Sequence, residues 1–193
     1  MGSLVYLLGS LLFSSSAMGG PFDAVDAFCD TQRALCEHVA ELRPIRTRAG
    51  HYRFTSPQDD AEIVAWAFLH RLGRSTDSEE IRSALVPHCG PLFHAMPDLA
   101  VSLYEAETQP MVRTRIVAEM QRIPGEHSVA LLKKASVDSS PEVREVAAAV
   151  AGDHPDFERV RSMALELIHD VEPRVRSMSL RAIGWRGERT DFD

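Results

Sequence analysis

The chain has 193 residues, 45% of them hydrophobic and 25% charged, with 21 Lys and Arg against 28 Asp and Glu for a formal charge of −7. This is the composition of one globular domain or one short repeat array; it excludes a disordered chain, a collagen-like fibre and a polytopic membrane protein. The acidic balance argues against a broad nucleic-acid surface, because phosphate contact needs a dense positive field, and three cysteines are too few for a disulfide-built scaffold.

Residues 1–20 carry no Asp, Glu, Lys, Arg or His. Leu4 to Phe13 form an apolar run, followed by Ser14, Ser15, Ser16 and Ala17. The run is shorter than the roughly 20 residues that cross a bilayer and has the length of a signal-peptide core. Ser15 and Ala17 suit the small-residue positions before a cleavage site, as do Ala17 and Gly19 for a cut after Gly19. The basic n-region is missing. Residues 1–19 are therefore expected to be a signal peptide, with the protein exported to a periplasm or secreted. The competing readings are an apolar helix docked on the body and a misassigned start, and both leave the chain cytoplasmic. No second apolar stretch of spanning length follows, so no membrane span is expected in the mature chain.

Residues 23–42 read as one amphipathic helix with Val25, Phe28, Cys29, Leu35, Cys36, Val39 and Leu42 as its apolar positions. On a continuous helix Cys29 and Cys36 stand about 10.5 Å apart along the axis, too far for a disulfide between them. Segment 43–58 breaks the helical pattern with four arginines, no acid, Tyr52 and Phe54, and Ala49-Gly50 suits the turn of a short hairpin. Arginine forks match carboxylates and phosphates, which makes Arg46, Arg48, Tyr52 and Arg53 candidates for partner contact. In the plainer alternative Tyr52 and Phe54 pack on the helices that follow while the arginines meet the acidic body. Trp66, in an apolar helical run, is expected in the core, as are Met96, Met111, Met120, Met163 and Met178.

His88, Cys89 and His94 come nearest to a metal cluster, but no fourth ligand is evident. There is no phosphate loop, nucleophile elbow or paired Cys-x-x-Cys. No catalytic residue, metal or cofactor is expected.

A repeat runs through the rest. Asp138-Ser139-Ser140-Pro141-Glu142-Val143-Arg144 is echoed by Asp170-Val171-Glu172-Pro173-Arg174-Val175-Arg176 and by Glu107-Thr108-Gln109-Pro110-Met111-Val112-Arg113. A degraded copy runs from Thr76 to Arg82. The Val/Ile-Arg pairs start at 81, 112, 143 and 175, and nine residues later stand Gly90, Gln121, Gly152 and Gly184. The acid suits the free N–H groups at a helix start, and Pro suits the first turn. Gly152 and Gly184 are expected to stop their helices in the left-handed conformation. Helices are expected near 61–73, 78–90, 97–106, 110–122, 126–137, 141–152, 156–169 and 173–184, and Pro97 is expected to kink the helix that starts near 92.

The acid-x-x-Pro-x-Val-Arg signature resembles that of the HEAT-repeat family, in the short-period form also seen in phycobilin-lyase-type repeats. The resemblance covers residues 60–185. It implies an all-α fold: a right-handed, armadillo-like α-solenoid of about four HEAT-like helical pairs with an N-terminal capping helix. It also implies a structural ladder between stacked repeats from Glu107 and Arg113, Asp138 and Arg144, and Asp170 and Arg176. Helices 78–90, 110–122, 141–152 and 173–184 would line the concave side. The expected organisation is a signal peptide at 1–19, a capping helix and Arg/aromatic loop at 20–58, and the repeat domain at 59–193. A cap stacked beside helix 78–90 makes Cys36–Cys89 the disulfide to expect in an exported chain, with three reduced, buried cysteines as the alternative. Trp185 is expected to fold back over the open end; exposed, it would serve a partner or self-association through the C-terminal end.

A stacked array offers an extended face to another protein or peptide. Helical spacing places Arg113, Glu119, Glu145, Arg174 and Arg181 near that face, and their mixed signs suit a protein partner rather than a polyanion. The expected function is a non-enzymatic interaction scaffold. Two alternatives follow from the resemblance alone: a tetrapyrrole lyase-like or chaperone protein, and a DNA glycosylase on a HEAT scaffold, which the acidic charge and the expected export both oppose.

Overall fold

In the computed structural model, residues 21–49, 51–55, 61–74 and 76–186 are described, and helix dominates them. The expected signal peptide lies outside the described residues. The chain forms two compact units, Met1–Ala95 and Met96–Asp193.

The first unit contains α1 (Pro21–Thr31), α2 (Arg33–Glu41), β1 (Ile45–Arg46), β2 (Tyr52–Arg53), α3 (Ala61–Arg74), α4 (Glu79–Leu85) and α5 (Gly90–Ala95), with a 3-10 turn at Val86–Cys89 leading into α5. The expected continuous helix 23–42 is broken at Gln32, whose φ of −112° and ψ of 40° leave the helical region. The break turns the chain back enough to bring the Cys29 and Cys36 Cα atoms to 5.8 Å, and these two cysteines form the disulfide. The expected Cys36–Cys89 pairing is thereby overturned, because the spacing argument assumed an unbroken helix. Cys89 remains a buried thiol near the Leu85 carbonyl.

The break lets both short helices pack on α3. Phe28 of α1 stacks on Trp66 of α3 with ring centroids 5.5 Å apart, so Trp66 is a core residue as expected. Arg71, 8% exposed, ties the unit together. Its Nη1 donates to the carbonyls of Val39 at 2.9 Å, which also accepts the Leu42 N–H, and of Leu42 at 2.6 Å, at the end of α2. Its Nε pairs with Asp77 at 3.0 Å, and its guanidinium lies 4.8 Å from the centre of the Phe54 ring. The hairpin forms with Ile45 opposite Arg53 and Arg46 opposite Tyr52.

The second unit contains α6 (Pro97–Ala106), α7 (Pro110–Glu119), α8 (Glu126–Ala135), α9 (Pro141–Asp153), α10 (Phe157–Leu167) and α11 (Pro173–Arg186). Pro97 does not kink a helix. It opens α6 after α5 has ended at Ala95, because proline drives the residue before it out of the helical region and fits the first turn itself. Helix α9 packs against both α7 and α11, and α8 packs against both α6 and α10. Most apolar positions predicted from periodicity fill the space between: Val112, Ile116, Met120, Val143, Ala147, Val150, Val160, Met163, Ala164, Leu167, Val175 and Ala182 are buried, whereas Met96 and Met178, expected in the core, are half-buried and Met111, in the first turn of α7, is exposed.

The two repeat glycines are not helix stops. Both lie inside their helices, and Gly125 alone has positive φ among the described residues. Gly152 is required by packing: a Cβ there would meet the Ala182 Cα at 2.9 Å. Among the described residues, a Cβ on Gly184 would meet nothing within 4 Å. Gly152→Ala should therefore destabilise by about 1–3 kcal/mol through overpacking. Gly184→Ala should stabilise by about 0.5–1 kcal/mol through helix propensity. Urea unfolding of the two variants, read side by side, checks both signs.

Candidate functional site

The best-defined constellation is a ladder of arginines along α7, α9 and α11. In the α7 rung, Arg113 Nε and Nη2 grip Asp138 at 2.9 and 2.8 Å, while Nη1 donates to the Thr108 carbonyl at 2.8 Å. The α9 rung repeats this arrangement. Arg144 Nε and Nη2 grip Asp170 at 2.7 and 3.0 Å, while Nη1 donates to the Asp138 carbonyl at 2.8 Å. Each arginine therefore pairs with the acid of the following repeat. To the acid six positions before it, it gives only a main-chain hydrogen bond. Both aspartates also accept the N–H two residues on, from Ser140 and Glu172, each at 2.8 Å, which closes the start of the next helix. Glu107 does the same for the Gln109 N–H at 2.7 Å. Tyr104 of α6 adds a hydroxyl donor to Asp138.

The electrostatics follow from these contacts. Burial alone would raise the Asp138 carboxyl, but hydrogen bonds from Arg113, Tyr104 and the Ser140 N–H hold it below its ordinary value. Asp170 is lowered first by Arg144. Burial and the bond to Asp138 push the Tyr104 hydroxyl up, so it stays a proton donor.

A second set of links joins α8 and α10. His154 is fully buried, with Nε2 3.1 Å from the Ile123 carbonyl and Nδ1 accepting the Asp156 N–H at 3.1 Å. Asp156 accepts the Gly125 N–H at 2.7 Å. Nothing in the repeat signature marks His154 for this role; its only sequence signal is a position just beyond the helix that the signature opens. Burial lowers its pKa, and the neutral ring satisfies both neighbours.

A shallow groove lies between α9 and α11, lined by Ala149, Gly152, Asp153, Met178, Arg181 and Ala182. Of the residues expected at the partner face, Arg181 is exposed and lines this groove. Arg174 is exposed and pairs with Glu142 and, at 3.5 Å, with Glu145. Hydrogen bonds from the Ser140 hydroxyl and then from Arg174 bring the Glu142 carboxyl down to about 2. Glu119 is half-buried. Arg113 is not available to a partner: its side chain is 12% exposed and its fork is filled by Asp138. Arg46, Arg48 and Arg53 are exposed on the hairpin of the first unit, while Tyr52 is half-buried and Phe54 is buried against Phe68. His88 stacks on Phe68 at 4.2 Å, Cys89 is buried and His94 is exposed; no group of three metal-ligating side chains converges among the described residues. The side chain of Trp185 lies outside the described set. In comparisons with known proteins, no family model and no curated sequence matches the chain.

Replacing Arg144 with Met leaves the buried Asp170 without its fork and should cost about 2–4 kcal/mol. Arg174→Met, at an exposed pair, should leave the urea midpoint unchanged. Stability should also fall in two acid steps. His154 and His88 have lowered pKa values, so the unfolded chain takes up protons first and stability declines as pH drops below about 6.5. Asp138 and Asp170, also lowered, keep their contribution above about 3.9 and lose it as pH falls through their folded values. Unfolding curves from pH 8 to 3 should show both slopes, and His154→Gln should flatten the upper one.

Proposed function

We propose that the chain is an α-solenoid of about four HEAT-like helical pairs, right-handed and capped by its N-terminal helices. We propose further that it is a non-enzymatic, exported scaffold that binds another protein or peptide on the side formed by α7, α9 and α11. The observation that carries this reading is the ladder. The same arginine at a spacing of 31 residues makes the same set of bonds twice, so successive helix pairs are held in one fixed relation. A rigid row of helices presents its outward side chains at regular intervals, which suits recognition of an extended or helical segment. Arg181 at the edge of the α9–α11 groove, and the Arg174–Glu145 pair beside it, give that side its polar features.

Proximity labelling in native cells, with wild-type protein and Arg181→Glu in parallel, tests the reading. At least one protein should be enriched by the wild type and fall about tenfold or more with the variant. The same set enriched by both chains, with the variant's helical circular dichroism intact, would remove the proposed face.

A further inference from the structure

Three positions that are covered within the second unit are open on α11. The first is the third arginine of the ladder. Arg176 Nη1 donates to the carbonyls of Asp170 at 2.8 Å and Val171 at 3.0 Å, as Arg144 Nη1 does one repeat earlier to Asp138 and Ser139. The guanidinium is thus fixed in the geometry of the two filled rungs. Among the described residues, no carboxylate meets its Nε and Nη2 edge.

The second position is apolar. Val117 on α7 and Ala148 on α9 are each 0% exposed, whereas Leu180, at the corresponding place on α11, is 46% exposed. The third is the glycine. Gly152 receives Ala182 of the next repeat in close contact, whereas among the described residues nothing stands within 4 Å of a Cβ built on Gly184. Arg176, Leu180 and Gly184 are four apart in sequence and so share one side of α11.

We infer that this side of α11 docks a helix of a different protein, one that opens with an aspartate and carries a small residue twelve positions later. The filled repeat supplies that description. Asp170 fills the fork of Arg144, and Ala182, twelve residues on, meets Gly152. A second copy of this chain is a poor source of the acid. The two aspartates of its repeat signature, Asp138 and Asp170, are already held by Arg113 and Arg144, so a second copy would have to break a rung to supply either. This surface is separate from the groove at Arg181, and its test does not depend on that one.

The probe is a synthetic peptide with blocked ends and the sequence of residues 170–186, titrated into the full chain by calorimetry. It carries the aspartate and the small residue at the required spacing. Binding is expected with a dissociation constant below about 1 mM, weakened about tenfold or more when the peptide's aspartate becomes Asn. Arg176→Gln in the protein should give the same loss, and the two changes together should cost no more than either alone. The peptide change cannot unfold the protein, so the result stands even if the Arg176 variant is unstable. Equal binding of both peptides, or none at millimolar concentration, would overturn the inference. Two further results would reassign the surface. A chain truncated after Arg186 that binds at least about tenfold more tightly would show that residues 187–193 occupy the face in cis. A wild-type dimer that Arg176→Gln dissociates would show that a second copy does. The expected chain is monomeric and indifferent to the truncation.

Discussion

The arrangement of the second unit depends on a guanidinium with all three nitrogens assigned. Nη1 fastens the loop that leads into its own helix, and the Nε–Nη2 edge fastens the aspartate that leads into the next one. A bidentate fork permits little freedom in distance or tilt, so each rung fixes the position of the following helix start. The aspartate works in both directions as well, accepting the fork and capping its own helix. Burying such a pair brings little net stability over an apolar substitute, because both ions lose water. Its effect is on register, since a helix displaced by one turn would strand a charge.

Much of this unit can be read directly from the amino acids. The acid, the proline and the valine before each arginine mark where helices begin, and the 31- and 32-residue spacing marks how often. The apolar positions at three and four then identify the core, from Val112 to Ala182. The residues of the ladder are visible in the same way, but their partners are not. Local spacing joins Arg144 to Asp138, whereas the fork reaches Asp170, a choice that only the packing of α9 on α11 decides. The role of Gly152 is hidden for a related reason. A glycine near a helix end looks like a stop, and its true cause, Ala182, is thirty residues away. His154 gives no signal beyond its position, because its partners at Ile123 and Asp156 are backbone groups and the third, the Ser128 hydroxyl, lies 26 residues away.

The first unit follows a different logic. Val25, Phe28, Cys29, Cys36 and Val39 would form one stripe on a straight helix, and no glycine or proline marks Gln32 as a break. The break is favoured by what it allows: two short helices share α3, where one long helix would overhang it. Arg71 then works as a local hub, joining the end of α2, the loop at Asp77 and the aromatic ring of Phe54. Its single charge replaces the repeated ladder as the organiser of that unit.

The Cys29–Cys36 bridge spans a sequence separation of only 7. In the chain-entropy picture, closing so short a loop restrains the unfolded chain by about 2.5 kcal/mol, whereas a bridge enclosing roughly fifty residues, as from Cys36 to Cys89, gives about 4 kcal/mol. The bridge is therefore the weaker of the two as a global staple, and its main effect is to set the angle between two short helices. Transfer from an oxidising to a reducing compartment would act on that angle and on the Phe28–Trp66 contact. The arginine-linked helices of the second unit hold no cysteine and would not register the change.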